Sequence, residues 1–197
     1  MTSKLLDPKS ALVLIDLQRG ITAAPTQPHA VEDVVARGAQ LAKAFRDQGL
    51  PVVLVRVSWA DDGGDMPPGR TMQAGGGNYT PPQGWDVLVD ELDVQPGDIR
   101  ITKRHWGAFH GTELDVQLRR RGVSTIVLGG IATSIGVEST ARAAHEHGYH
   151  VVIAADATAD RETDSHDHSM RKIFPRLGVT ATTDEVLSAL AELPTQA

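Results

Sequence analysis

The sequence predicts an α/β fold: a Rossmann-like three-layer sandwich, in which a six-stranded parallel sheet carries helices on both faces. Three observations point to it. Short runs of apolar, largely β-branched residues recur along the chain without the in–out alternation of a half-exposed strand. They alternate with stretches whose apolar residues return at helical spacing. The length of 197 residues fits one domain, which we place at 8–193. Strands that are apolar on both sides need a helical cover on each face.

Ala11–Asp16 (ALVLID) is the first strand, an apolar run that ends in a carboxylate. Val31–Gly49 sets Val34, Val35, Leu41, Ala42 and Phe45 on one side of a helix, and Gly49 stops it. Pro51–Val57 is a buried strand. Gly63–Gly84, rich in Gly and Pro, reads as a long irregular loop, followed by a short helix near Trp85–Leu92. Asp98–Lys103 is a third strand, and Thr112–Gly122 a helix with Thr112 as its N-cap. Ser124–Gly130 is a fourth strand, Gly136–Gly148 a helix and His150–Ala155 a fifth strand. Asp164–Arg176 reads as helical, Gly178–Thr182 as a sixth strand and Asp184–Leu193 as the closing helix.

Composition narrows the function. Nineteen Lys and Arg against 25 Asp and Glu give a net charge of −6, which excludes a protein built to grip a phosphate backbone. No segment has the ~18 apolar residues of a membrane span, and the first residues carry no apolar run of signal-peptide length. We therefore expect a cytoplasmic protein with neither nucleic-acid nor membrane partners. There is no cysteine, so disulfides, thiolate metal sites and a thiol nucleophile are all excluded.

In open parallel sheets the site lies beyond the carboxyl ends of the strands. The residues there are Asp16 and Gln18, Ser58 and Trp59, Lys103 to Trp106, Ile131 to Gly136, and Asp156. A carboxylate closing a buried strand is costly unless partnered. Two readings stand: an Asp16–Lys103 ion pair, or a helix-capping Asp16 beside a solvated Lys103. The turn Gly129–Gly136 joins a strand to a helix, either to bind an anion or simply to pack tightly. It lacks the spacing of a dinucleotide site or a phosphate loop, and no cofactor is expected. His145, His147 and His150, and again His166 and His168, cluster without a recognised ligand spacing. They read as solvated helix ends, with no metal site. Five of the eight aromatic residues, Trp59, Tyr79, Trp85, Trp106 and Phe109, fall between positions 59 and 109. They wall a small-molecule pocket, or else pack the long loop or a subunit interface.

The segments ALVLIDLQ (11–18), KRHWGAFHGTELDVQLRRRGVSTIVLGG (103–130), GIATSIGVESTARAA (130–144) and VVIAADATAD (151–160) together resemble the isochorismatase-like hydrolases. The likeness is greatest to an uncharacterised bacterial branch with KRxWGAFxGT and GVESTAR. The resemblance implies a six-stranded parallel sheet, a small-molecule substrate and a homo-oligomer, dimer or higher. The family's usual triad is Asp, Lys and Cys. Asp16 and Lys103 match the first two, and Gly136 stands where the cysteine is expected. The resemblance also implies a cis peptide between Ile131 and Ala132, an oxyanion site made by the Ala132 and Gly136 amides, and pocket positions at Gln18 and Phe109; the aromatic cluster adds Trp59 and Trp106 as substrate-binding residues. The metal-binding Asp-x-His of its nicotinamidases is replaced by Ser58-Trp59-Ala60-Asp61.

Without a thiol, and with Ser134 and Ser139 out of phase with Gly136, covalent amidase chemistry is not expected. Isochorismatases of the family also carry glycine here and cleave a vinyl ether with the Asp as general acid. Isochorismate is a dicarboxylate, for which Arg56, Arg70, Arg104 and His105 are candidate contacts. The expectation is therefore a hydrolase that works by noncovalent water attack, with Asp16 as general acid/base. The alternative is a catalytically inactive member that binds a small molecule or a protein. The retained Asp16–Lys103 pair favours chemistry, because an idle buried ion pair adds little stability.

Overall fold

A computed structural model describes residues 5–67, 72 and 80–194; Arg70 and Tyr79 lie outside the described residues. The six strands are β1 (Ser10–Ile15), β2 (Val52–Val57), β3 (Ile99–Lys103), β4 (Thr125–Ile131), β5 (His150–Ala159) and β6 (Val179–Ala181). They pair in the order β3-β2-β1-β4-β5-β6, and every pairing is parallel. The helices are α1 (Arg19–Thr22), α2 (Val31–Asp47), α3 (Leu114–Arg120), α4 (Glu138–Glu146), α5 (Thr163–His168) and α6 (Thr183–Ala191).

Strand periodicity divides the core. In β1, Leu12 and Leu14 face one way and pack with Val34, Leu41 and Phe45 of α2 and Val186 and Leu190 of α6. Ala11, Val13 and Ile15 face the other way and pack with Leu114 and Leu118 of α3 and Ala141 and Ala144 of α4. All of β1 is buried, which is why its sequence shows no alternation. Among the described residues no helix is long and apolar enough to cross a membrane.

Several elements differ from the sequence expectation. Residues 85–92 do not form a helix. Their amides and carbonyls pair with the stretch after β1: Arg19 N–H donates to Val87 O, Gly20 N–H to Trp85 O and Val89 N–H to Leu17 O. Only Asp90–Leu92 closes a 3-10 turn. The helix expected from Gly136 starts as a π-turn at Thr133–Val137 before becoming α4. The expected helix 164–176 is α only to His168, then runs through π and 3-10 turns into Pro175. The helix expected from Thr112 starts at Leu114 with Glu113 as its N-cap, and Thr112, one residue earlier, accepts the Leu114 N–H at 3.2 Å.

The fifth strand extends to Ala159, so Asp156 is not its terminal residue. Its pairing with β4 shifts register between Leu128 and Gly130, and Asp156 sits in that irregularity. The carboxylate takes the Thr183 N–H and hydroxyl at the start of α6 and pairs with Arg37 at 2.8 Å. Its role is structural capping, away from the chemistry.

Candidate active site

The site forms where β1, β3 and β4 end. Asp16 leaves β1 with φ at 53°, a conformation that costs energy for any residue but glycine and that Asp and Asn tolerate better than most. Its N–H still donates to Val55 O, while its carbonyl accepts from Gln18 N–H. The chain thus turns sharply and leaves the carboxylate over the sheet edge. Gly130, at the matching end of β4, has φ at +118°, and a Cβ there would lie 2.1 Å from Ile15 O. Only glycine lets the two strand ends approach so closely.

Lys103, at the end of β3, is 2% exposed. Its side chain reaches across the end of β2 to Asp16. The ammonium donates to Asp16 Oδ2 at 2.7 Å, to Trp106 O at 2.8 Å and to His105 O at 3.1 Å. All three of its protons are thereby spent. The ion-pair reading of these residues is the one the geometry gives. Asp16 Oδ1 is buried with no hydrogen-bond partner among the described residues. Burial raises the Asp16 pKa from the usual 3.8 to about 6, even though the charge and hydrogen bond of Lys103 pull the other way.

The third position of the family pattern is Gly136. A Cβ there would stand 2.9 Å from Ile15 Cγ2 and 3.3 Å from Asp16 Oδ2. The glycine therefore abuts the carboxylate, and Ile15 fills the room that a side chain would need. The Ile131–Ala132 peptide is cis. The Ala132 carbonyl accepts from Ile135 and Val137 at 3.2 Å, passing over the Gly136 amide between them. The turn is held from outside as well. Thr140 donates to Gly136 O at 2.6 Å and accepts from Ala108 N–H at 3.0 Å, tying it to the segment after Lys103. Asp160 accepts the Ser134 N–H at 2.6 Å.

Asp16, Lys103, Ala132 and Gly136 line one cavity of about 500 Å³, together with Trp59, Trp85 and Trp106. Size does not single it out, since a depression of about 690 Å³ lies at the amino ends of the strands near Lys9 and Pro51; the buried acid–lysine pair does. Trp59 and Trp85 stack with centroids 5.5 Å apart, and Trp59 Nε1 donates to Arg104 O at 3.0 Å. Trp106 is 66% exposed, at the rim.

Two expected liners are elsewhere. Phe109 is buried with the α3 and α4 residues, its ring 5.7 Å from Tyr149; the Ala108–Thr140 bond leads the chain into the core at that point. Gln18 is fully buried and is a brace: its amide donates to Val57 O at 3.0 Å and accepts Val57 N–H at 2.8 Å. It thereby replaces the ladder that β1 abandons at Asp16. Ser134 and Ser139 are absent from the lining. Of the candidate cationic contacts, Arg104 and His105 line the cavity, whereas Arg56 is committed to Asp86 and Thr102.

Sequence reasoning missed three residues. Arg161 lines the cavity and donates to Ala24 O, Pro25 O and Ile21 O, fixing the wall that follows α1. His166 is buried rather than a solvated helix end, with Nδ1 2.8 Å from Thr133 Oγ1. Its burial, with His29 alongside, pushes its pKa down, so the neutral ring supports the turn. Gly20 is the floor for Trp85, because a Cβ there would lie 1.9 Å from Trp85 Cδ1. Gly20→Ala should displace that indole, shift the tryptophan emission and cost about 1–3 kcal/mol in denaturant unfolding. Unchanged emission and stability would contradict this packing.

Comparison with known proteins agrees with the geometry. A family model described as the isochorismatase domain matches residues 10–185. The uncharacterized isochorismatase family protein YecD of Escherichia coli O157:H7 is 45% identical over 181 residues, covering 92% of this chain and 96% of its own. The ureidoacrylate amidohydrolase RutB of Stutzerimonas stutzeri (strain A1501) is 33% identical over 177 residues, covering 76% and 69%. A solved isochorismatase family protein from Burkholderia thailandensis superposes with a TM-score of 0.90 at 48% identity, covering 94% of this chain and 97% of its own. With Asp16 and Lys103 of the family pattern joined at 2.7 Å and glycine in the third position, this chain belongs to the isochorismatase family of hydrolases.

Proposed function

We propose that this protein hydrolyses a vinyl ether, or a similarly activated small molecule, by water attack without a covalent enzyme intermediate. The observation that carries the reading is the junction of Asp16 with Gly136. A buried carboxyl with a pKa of about 6, one oxygen of which has no hydrogen-bond partner among the described residues, stands against a residue that offers no side chain. An acid tuned to that range is suited to give up a proton near neutrality.

In this mechanism Asp16 protonates the enol carbon. Its O–H bond breaks, a C–H bond forms and the ether oxygen stabilises the resulting oxocarbenium ion. Water adds to that cation, and collapse of the hemiacetal releases alcohol and carbonyl products. Asp16, now ionised, takes back a proton as the water adds. Lys103 holds the carboxyl in place and limits its pKa rise. The Ala132 and Gly136 amides bind a polar group of the substrate or the water.

The test is a hydrolysis screen of isochorismate, nicotinamide and simple amides, followed by a pH profile on whatever turns over. Vinyl-ether turnover should fall about tenfold per pH unit above pH ~6, as the acid form is lost. Amide turnover that depends on Asp16 would overturn the noncovalent mechanism. Absence of turnover on every substrate would favour a binding protein.

A further inference from the structure

The cavity has a charge pattern unlike that of the chain around it. The protein carries −6 overall, yet the cavity wall includes Lys103, Arg104 and Arg161 against the single carboxylate of Asp16. The tryptophan count is three, and all of them, Trp59, Trp85 and Trp106, are on this wall. Cationic groups beside flat aromatic faces suit an anion with a planar body.

The three cations are not equivalent. The ammonium of Lys103 has spent its donors on Asp16, His105 O and Trp106 O. Arg161 has both terminal nitrogens engaged by three main-chain carbonyls. Arg104 uses Nε for Asp65, while its Nη1 is buried without any partner among the described residues. A guanidinium donor buried without a partner is costly, and a ligand carboxylate is the partner that fits its fork.

We propose that this cavity takes a planar monocarboxylate, with the ring or conjugated system against the indoles and the carboxylate on the Arg104 guanidinium. Lys103 is fully committed and Arg161 is held by three carbonyls, so among the described residues Arg104 alone of the wall cations keeps a buried donor without a partner, and the site reads one negative charge and not two. This sets the substrate apart from a dicarboxylate such as isochorismate. Asp65 is then a competitor for Arg104, holding the guanidinium until an anion arrives. The proposal rests on the reading of this cavity as the substrate site, but its test reads binding and not turnover.

The probes are benzoate, its neutral analogue benzamide and the dianion phthalate, titrated against intact protein by tryptophan quenching and calorimetry. Benzoate should bind at least about tenfold more tightly than benzamide, and phthalate no more tightly than benzoate. Arg104→Gln should erase the preference for benzoate, a loss of about 10- to 100-fold, and Arg104→Lys should keep part of it. Asp65→Asn should tighten benzoate several-fold by freeing the guanidinium, which a merely structural ion pair would not do.

Equal affinity for benzoate and benzamide would overturn the proposal, as would an Arg104→Gln protein, shown folded by circular dichroism, that retains the preference. Weakening of benzoate binding by Asp65→Asn, or a phthalate affinity tenfold above that of benzoate, would also overturn it. So would the absence of any benzoate signal up to ~10 mM, weaker than the usual range for a specific small-molecule site. A failed hydrolysis screen with these affinities intact would defeat the catalytic reading alone.

Discussion

Asp16→Asn should abolish turnover while leaving the fold in place, and pH 5 is where to measure it. A positioned general acid contributes about 10²–10⁴ in rate, so kcat should fall by that factor with a small change in KM. The usual objection is that removing one partner of a buried ion pair strands the other. Here Asp16 has a pKa of about 6, so at pH 5 the wild-type side chain is mostly the neutral acid. Asparagine copies the shape and charge of that form without its transferable proton. Lys103 keeps its two carbonyl partners, His105 and Trp106, in both proteins. The variant should therefore unfold at nearly the wild-type denaturant midpoint at pH 5, and lose its activity there too. If it retains a third or more of the wild-type kcat, Asp16 is not the proton donor.

The pair at the centre of this prediction was legible in the sequence because both members end apolar strands. An uninterrupted run such as ALVLI must be buried, and the charge that closes it must stand at the sheet edge. The sequence could not say that β1 and β3 are separated by β2, so the reach of the lysine had to come from the structure. Arg161 was hidden for a related reason. Asp156 looks like the end of its strand, since a charge inside a parallel strand is rarely tolerated. The register shift against β4 and the cap it supplies to α6 make it acceptable, and the true end lies at Ala159 beside Asp160 and Arg161.

Aromatic clustering misled at one position out of those described. Trp59, Trp85 and Trp106 do gather on the cavity wall, but Phe109 follows the Ala108–Thr140 bond into the core. Burial of a ring is decided by where the backbone is anchored, which sequence proximity does not reveal. The same is true of His166. It stands among exposed charged residues in the sequence, and only the packing of α5 against the turn after β4 brings it to Thr133.

Lys103→Met should cost stability in a manner that changes with pH, and that dependence identifies the cause. Methionine matches the length of the stem and is the least disruptive apolar replacement. It leaves the His105 and Trp106 carbonyls without their donor and Asp16 without its counter-charge, a loss of about 3–5 kcal/mol near neutral pH. In the wild type, Asp16 ionises at about 6 in the folded state against the ordinary 3.8. The folded state therefore binds the extra proton between those values, and stability falls as pH rises through that window and levels off above it. Without Lys103 its charge and its hydrogen bond, which lower this pKa, are gone while burial remains, and it rises further. The variant's stability then keeps falling above pH 6, where the wild type is flat. The gap between the two proteins should widen by as much as about 1.4 kcal/mol per pH unit until the variant's own folded pKa is passed. Urea unfolding at pH 5, 6, 7 and 8 measures it directly. A gap of constant size would mean that Lys103 acts through packing and its carbonyl bonds alone, and that its charge does not hold down the Asp16 pKa.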